Sequence, residues 1–191
     1  MNKSKITTMQ LTVVGLMAAL VFVCTYFFKI YIPVGDSQTM IKSANIVCLL
    51  SGLLFGSWIG GLAAGLGSFI FDLLDPRFIA GAPFTLINFF LMGFVCGKIA
   101  ETYKKDQPRL KRDIIAAIAG ALTYFVCYMI YSVVKNVIAG MQFGVAVSSF
   151  IVGKAWASGV NVVTGCVFSV LLAAPLRSAL KKSKLSDGVL K

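Results

Sequence analysis

The sequence lacks histidine altogether and has only seven acidic residues among its 191 positions. Histidine is the commonest general base and a frequent zinc or haem ligand, so its absence argues against those chemistries. The five cysteines lie in separate apolar segments without C-x-x-C spacing, and we interpret them as packing residues. A G-x-x-x-x-G-K-[ST] nucleotide loop is also missing, which argues against a pump that hydrolyses ATP by itself. We therefore expect a protein without enzymatic activity, bound metal or cofactor.

Charged side chains are scarce as well, at 13% of the chain. Charged residues are missing from the interiors of the long apolar runs. Asp72 and Lys154 lie at the edges of these runs, and Asp113 lies in a predicted loop. Ionisable groups in the middle of a membrane are expensive and are kept for functions such as ion coupling. Their absence argues against a proton- or ion-coupled carrier.

What the sequence does have is long apolar runs. Hydrophobic residues make up 58% of the chain, and the mean hydropathy is +0.87. A bilayer core of about 30 Å takes about 20 apolar residues per helix, and these runs do not alternate as barrel strands do. The sequence therefore predicts an all-α membrane protein that forms one integral-membrane domain. Its six transmembrane helices are predicted at about 9–29, 43–56, 58–71, 82–97, 114–134 and 154–176.

The segments between these runs predict the connections. Residues 30–42 are mixed in character and are expected to form a loop. The uncharged stretch 43–71 is too long for one helix and is rich in glycine, so a turn is expected near 56–58. Residues 135–153 are weakly apolar, and we interpret them as a long loop, with a half-helix as the alternative.

The basic residues orient this topology in the membrane. With six spans, Lys29, Lys42, Arg77, Lys135 and Lys154 fall outside, and the other thirteen of the 18 basic residues fall inside. Positive residues favour the cytoplasmic side, so both termini are expected on the cytoplasmic side of a bacterial plasma membrane. The net charge of +11 is confined to loops and tails, which fits attraction to anionic lipid and not nucleic-acid binding.

Polar and aromatic residues gather in the predicted outer half. Tyr124, Tyr128 and Tyr131 are spaced i, i+4, i+7 and therefore share one helix face. Aromatic walls with a few polar groups are typical of small-molecule pockets, and an interfacial aromatic belt is the alternative. Asn88 and Asn161 are costly in lipid, and both interhelical bonding and ligand binding explain them. The candidate substrate-binding residues are Asp36, Gln38, Lys42, Asp72, Asn88, Tyr124, Tyr128, Tyr131, Lys135, Lys154, Trp156 and Asn161.

Small residues mark one face of the first predicted span. Gly15, Ala18 and Ala19 include a small-x-x-x-small pair, Gly15 and Ala19, which lets another helix approach closely. That helix belongs either to the same chain or to a partner, so these three are candidate partner-docking residues.

Three local stretches make the chain resemble the substrate-binding S-components of energy-coupling-factor (ECF) vitamin transporters, most of all their riboflavin-transporter-type branch. The first stretch is Ile32-Pro33-Val34-Gly35, and the third is Ala82-Pro83-Phe84-Thr85. The second runs from GLLFG at 52–56 through GGLAAGLG at 60–67 to FDLL at 71–74. Many relatives in this branch have a lysine shortly after the start of span four, where this chain has Asn88, Phe89 and Phe90. Substrate identity therefore does not carry over.

The resemblance implies a subunit that binds a vitamin or its precursor in an outward pocket, capped by the first outside loop. Such subunits dock on a membrane coupling subunit driven by two ATPases and topple in the membrane to release ligand inside. The docking face of the family is an alanine-x-x-x-alanine pattern on span one, for which Gly15 and Ala19 are the nearest match here.

The candidate residues suit several ligands. Their aromatic rings suit a heterocycle, and Lys135 and Lys154 suit an anionic or hydrogen-bond-accepting group. Riboflavin, a pyridoxine-like molecule and a thiamine precursor all fit this description. Two other classes stay open: a small six-span scaffold of the cell-shape machinery, and an ion-coupled small-molecule carrier.

Overall fold

The computed structural model describes residues 7–34, 37–102 and 109–182, apart from the side chains of Val34, Ser37, Gln38 and Lys181. Most of the described chain is helical. In chain order the elements are α1 (Thr8–Phe27), β1 (Lys29–Val34), β2 (Ser37–Lys42), α2 (Ala44–Phe55), α3 (Ser57–Leu74), a 3-10 turn (Ile79–Gly81), α4 (Ala82–Thr102), α5 (Arg109–Ile138), α6 (Phe143–Gly153) and α7 (Ala155–Lys182).

Five of the described helices are long and apolar enough to cross a membrane, in agreement with the predicted helical membrane class. They are α1, α3, α4, α5 and α7. The other two, α2 and α6, are apolar but shorter. At about 1.5 Å per residue, α2 rises about 18 Å, which is less than the roughly 30 Å of a bilayer core.

Glycine backbones bring α2, α3 and α4 into direct contact. A Cβ on Gly60 would lie 2.5 Å from the Cα of Gly52, and a Cβ on Gly97 would come still closer to the carbonyl carbon of Gly56. Gly56 separates α2 from α3 and has a φ of 84°, a left-handed value that favours glycine. As a result α2 is buried along its whole length except at Ile46. Small residues serve close helix packing in this way in membranes.

A buried ion pair closes the end of the bundle opposite the two strands. Arg177 of α7 donates to both carboxylate oxygens of Asp113 in α5, and to the carbonyl oxygen of Leu53 in α2 at 2.8 Å. The prediction of a loop at Asp113 was wrong, because α5 begins at Arg109 and the carboxylate is buried. Pairing with Arg177 is what makes this burial tolerable.

Strands β1 (Lys29–Val34) and β2 (Ser37–Lys42) pair as an antiparallel hairpin, so the prediction of a loop was wrong for these described residues. In the hairpin, Lys29 of β1 lies opposite Lys42 of β2, and Ile32 lies opposite Thr39. The first strand is rich in β-branched and aromatic residues, which favour extended structure. The polar residues that follow obscure this signal in the sequence.

The loop predicted over 135–153 was also wrong, because most of this segment is helical. Helix α5 continues to Ile138, and α6 occupies Phe143–Gly153. Phe150 is buried, and its ring meets that of Tyr128 edge-on at a centroid distance of 5.9 Å. This tertiary contact stabilises a helix that the weak apolar pattern does not predict.

Replacing Gly97 with alanine tests the glycine interface. The added Cβ would overlap the backbone that joins α2 to α3, so we expect Gly97→Ala to destabilise the protein by about 1–3 kcal/mol. Gly159→Ala in α7 is the matched control, because a Cβ there meets nothing within 4 Å and alanine favours a helix. Thermal unfolding in detergent measures both variants, and equal stability would contradict a tight interface.

Candidate functional site

A cavity of about 300 Å³ lies at the hairpin end of the bundle. Its walls come from β2, the end of α3, the start of α4 and the C-terminal half of α5, with Lys154 between α6 and α7. This volume is at the lower end of the range for small-molecule sites. The cavity is therefore large enough for a vitamin-sized ligand or part of one.

Eight of the twelve sequence-predicted binding residues line this cavity: Lys42, Asp72, Asn88, Tyr124, Tyr128, Tyr131, Lys135 and Lys154. The other four do not take part in the described lining. The Trp156 residue is 51% exposed on the surface, and Asn161 bonds to the backbone of β2. Asp36 lies outside the described residues, and of Gln38 only the backbone, in β2, is described.

The aromatic wall of the cavity follows α5. Tyr124 and Tyr128 have parallel rings with centroids 6.1 Å apart. Tyr131 stacks on Phe84 of α4 at 3.9 Å, and Phe89 of α4 tilts against Tyr124 at 5.2 Å. These contacts fix the rings, so they present a pre-formed apolar surface to a planar ligand.

Two buried acceptors on the cavity wall have no partner among the described residues. Asp72 in the last turn of α3 is 4% exposed, and Asn88 in α4 is 2% exposed. Lys42 and Thr85 interact with the Asp72 carboxylate. The Oδ1 atom of Asp72 and the Oδ1 atom of Asn88 nevertheless accept no hydrogen bond from any described residue. A buried acceptor left unpaired costs about 1–3 kcal/mol, so a donor on a bound molecule would stabilise this site.

The exposed side of the cavity is electropositive. Lys135, Lys154 and Arg77 all line it, and the Nζ atom of Lys154 lies 3.5 Å from the hydroxyl oxygen of Ser132. Burial, and then the nearby charge of Lys135, lowers the pKa of Lys154 below its usual value. An anionic or electron-rich group at this position would stabilise the cationic form of Lys154.

Asn161 holds β2 in place as a cavity wall. Its Oδ1 atom accepts a hydrogen bond from the backbone N–H of Lys42, and its Nδ2 atom donates to the carbonyl oxygen of Met40, both at 2.9 Å. The side chain is buried, so these two bonds replace those that a neighbouring strand would make. The cost of an amide at membrane depth is met by bonds within the protein.

The other strand, β1, is tied to the segment after α3. The hydroxyl of Tyr31 donates to Oδ2 of Asp75 at 2.6 Å, and the Arg77 guanidinium lies 3.8 Å from the Tyr31 ring centroid. Burial raises the pKa of the Asp75 carboxyl, but hydrogen bonds from Tyr31 and Arg77 outweigh it and hold that pKa below its usual value. This anchor is therefore present at neutral pH and is lost only as the pH falls through the lowered pKa.

The sequence analysis missed several residues of the cavity wall. The additional lining side chains include Thr39, Met40, Arg77, Phe78, Phe84, Thr85, Phe89 and Ser132. Phe84 and Thr85 belong to the third stretch that carries the resemblance, which is the signal that could have found them. The position of Thr39 and Met40 in the cavity wall depends on the register of a hairpin that the sequence did not predict.

The three candidate docking residues differ in their exposure. Gly15 and Ala19 are exposed on α1, and a Cβ on Gly15 would meet nothing within 4 Å. Ala18 is buried, and its carbonyl oxygen lies against Gly67 of α3. Ala18 thus packs within the chain, and of the three candidates Gly15 and Ala19 lie on the exposed side of α1.

Comparison with known proteins gives one family. The family model described as "ECF-type riboflavin transporter, S component" matches residues 5–181. A comparison with curated proteins gives no match.

The Asn161→Leu variant tests the anchor of β2. It would leave the N–H of Lys42 and the carbonyl of Met40 buried without partners, so we expect amide exchange across 29–42 to accelerate by about tenfold or more. Hydrogen–deuterium exchange with mass spectrometry measures this rate. Thr164→Val is the control on the same helix, since among the described residues the Thr164 hydroxyl donates to carbonyls of α7 alone. Equal hairpin exchange in the two variants would show that Asn161 does not hold β2.

Proposed function

The chain belongs to the family of ECF-type riboflavin transporter S components, and from that premise we propose that it captures one water-soluble vitamin or precursor for an ATP-driven importer. The observation that carries this proposal is the cavity, with its fixed aromatic wall and the unpartnered acceptors on Asp72 and Asn88. Unpaired buried acceptors are rare in folded proteins unless water or a ligand completes them. The chain itself performs no chemical step in this proposal.

In the proposed topology the chain has six spans, and both termini lie on the cytoplasmic side of a bacterial plasma membrane. Helices α2 and α3 form spans two and three, with Gly56 as the turn. The distribution of basic residues supports this orientation, which places the hairpin and the cavity on the outside. The hairpin then acts as the cap over the ligand.

The proposed ligand is an aromatic heterocycle. Riboflavin, which the family description names, is the first compound to test, followed by pyridoxine-like molecules and thiamine precursors. Tyr128 and the stacked pair of Phe84 and Tyr131 offer ring faces for such a molecule. Asp72 and Asn88 would accept hydrogen bonds from its N–H or O–H groups.

The proposed partners are a membrane coupling subunit and two ATPase subunits. Gly15 and Ala19 are exposed one turn apart on α1, so another helix could approach closely there. This surface suits docking through backbone contact, and it lies on a different face of the protein from the cavity lining. Ligand binding and docking are therefore separable by mutation.

Two other functions are less well supported. A structural scaffold has no need of an enclosed cavity with fixed rings and unpartnered acceptors. An ion-coupled carrier needs ionisable groups along its path. The described buried charges lie instead at the two ends of the bundle: Lys42, Asp72 and Asp75 at one end, and Asp113 with Arg177 at the other.

Thermal unfolding of the detergent-purified chain with water-soluble vitamins and their precursors tests the binding role. A ligand at about 100 times its dissociation constant should add roughly 2.7 kcal/mol of stability without ATP. A saturable shift with one compound would support the proposal and identify the substrate. A well-folded protein that responds to no compound would contradict the vitamin-binding role.

The Gly15→Leu variant tests the docking face. A leucine there would block close helix approach, so we expect ligand binding to stay unchanged while uptake with the complete importer falls at least about tenfold. Gly144→Leu in α6 is the control, because that glycine is also exposed with nothing within 4 Å of an added Cβ. Uptake by liposomes that contain this chain and its ATP-driven partners measures the effect. Equal loss of binding and uptake in Gly15→Leu would mean that Gly15 packs within the chain.

A further inference from the structure

The charges around the cavity do not balance among the described residues. Arg77 is paired with Asp75, with Nε and Oδ1 3.0 Å apart. Lys42 interacts with Asp72, which is the one acid among the described lining residues. These two pairs leave two basic side chains of the cavity without a carboxylate.

Lys135 and Lys154 are those two side chains, and they come from different helices to the same place. Lys135 lies in the last turn of α5, and Lys154 follows the last residue of α6. A cation is favourable at a helix C-terminus, which explains each lysine taken alone. It does not explain why both line one cavity, where their charges repel each other.

Ser132 lines the cavity together with these two lysines, and its hydroxyl is the nearest described contact of Lys154 there. It lies 3.5 Å from the Nζ atom of Lys154 and one helical turn from Lys135 on α5. Two ammonium groups and a hydroxyl around one partly enclosed space suit a carboxylate or a phosphate. In the part of the chain that the structure describes, no carboxylate fills this position.

The deeper part of the cavity suits hydrogen-bond donors on a ligand, whereas the lysine end suits an acidic group. There the unpartnered Oδ1 atoms of Asp72 and Asn88 need hydrogen-bond donors, next to the ring of Tyr124. Tyr124 and Lys135 are 11 residues apart on α5, which is about 16 Å along the helix axis. A molecule that satisfies both ends therefore needs a donor edge on a ring and a negative group on an arm.

We propose that the ligand of this cavity is a heterocycle with an acidic arm, whose carboxylate or phosphate lies between Lys135 and Lys154. Its ring lies along the aromatic wall, and its N–H or O–H edge faces Asp72 and Asn88. This inference rests on the proposed function of the cavity as the binding site of an importer. It adds the charge and orientation of the ligand.

Matched pairs of compounds that differ only in the acidic group test this inference. They are riboflavin 5′-phosphate with riboflavin, pyridoxal 5′-phosphate with pyridoxal, and biotin with biotin amide. Isothermal titration of the full chain in detergent gives each dissociation constant. In at least one pair we expect the acidic member to bind at least about tenfold more tightly, with the preference falling as salt increases. The biotin pair reports a carboxylate, and the other two report a phosphate.

Neutral variants then assign the preference to the two lysines. Lys135→Gln and Lys154→Gln should each reduce the ratio of the two dissociation constants by about fivefold or more. Lys135 is exposed, so its substitution does not threaten folding. Lys98→Gln, at the far end of α4, is the control and should leave the ratio unchanged.

Three results would overturn the inference. One is equal or tighter binding of the neutral member in every pair, which would leave the proposed vitamin-binding function standing. Another is a preference for the acidic member that survives both lysine substitutions. The third is the absence of binding by all six compounds, after which the thermal screen of water-soluble vitamins and their precursors decides the proposed function separately.

Discussion

Direct backbone contact between α2, α3 and α4 is the constraint on which the rest of this structure depends. Lipid gives apolar helices no hydrophobic reason to associate, so close packing must hold them together. Gly52, Gly60 and Gly97 supply that packing. Helix α5 follows the same rule in its N-terminal half, where Gly120 lies against α4, but the large ring of Tyr124 follows one turn later. The cavity therefore begins on α5 where the small residue Gly120 is followed by the aromatic side chain of Tyr124.

The two ends of the bundle treat polar groups in opposite ways. At one end Arg177 joins α7 to Asp113 of α5 and to a carbonyl of α2, so the charges are matched within the chain. At the other end Asp72 and Asn88 retain acceptors without described partners. Unmet hydrogen-bonding capacity is costly to stability, so it is retained where something else completes it. The Nε atom of Arg177 also has no partner among the described residues, so the two ends differ in how their charges are paired and in the aromatic wall of the cavity, which only the hairpin end has among the described residues.

Local patterns in the sequence predicted the helical membrane class, the glycine-rich turn at Gly56 and eight of the residues that line the cavity. Long apolar runs and the i, i+4, i+7 spacing of the tyrosines are local signals. The hairpin, α6 and the role of Asn161 depend on contacts between distant segments, such as the bond from Asn161 to Lys42. Periodicity also shows which residues share a helix face but not what covers that face. Ala18 is therefore buried against α3, and Trp156 faces outward.

The length of α5 has a further consequence for the lipid around it. Its exposed apolar side chains extend from Ile114 to Ile138, a rise of about 36 Å against a hydrocarbon thickness of roughly 30 Å. A helix with this mismatch leans away from the membrane normal or thickens the bilayer around it. Tyr128 and Lys135 lie on this helix, so a tilt of α5 together with its packed neighbours would also reorient the cavity relative to the membrane surface. Bilayer thickness would then be a physical variable of the proposed ligand capture.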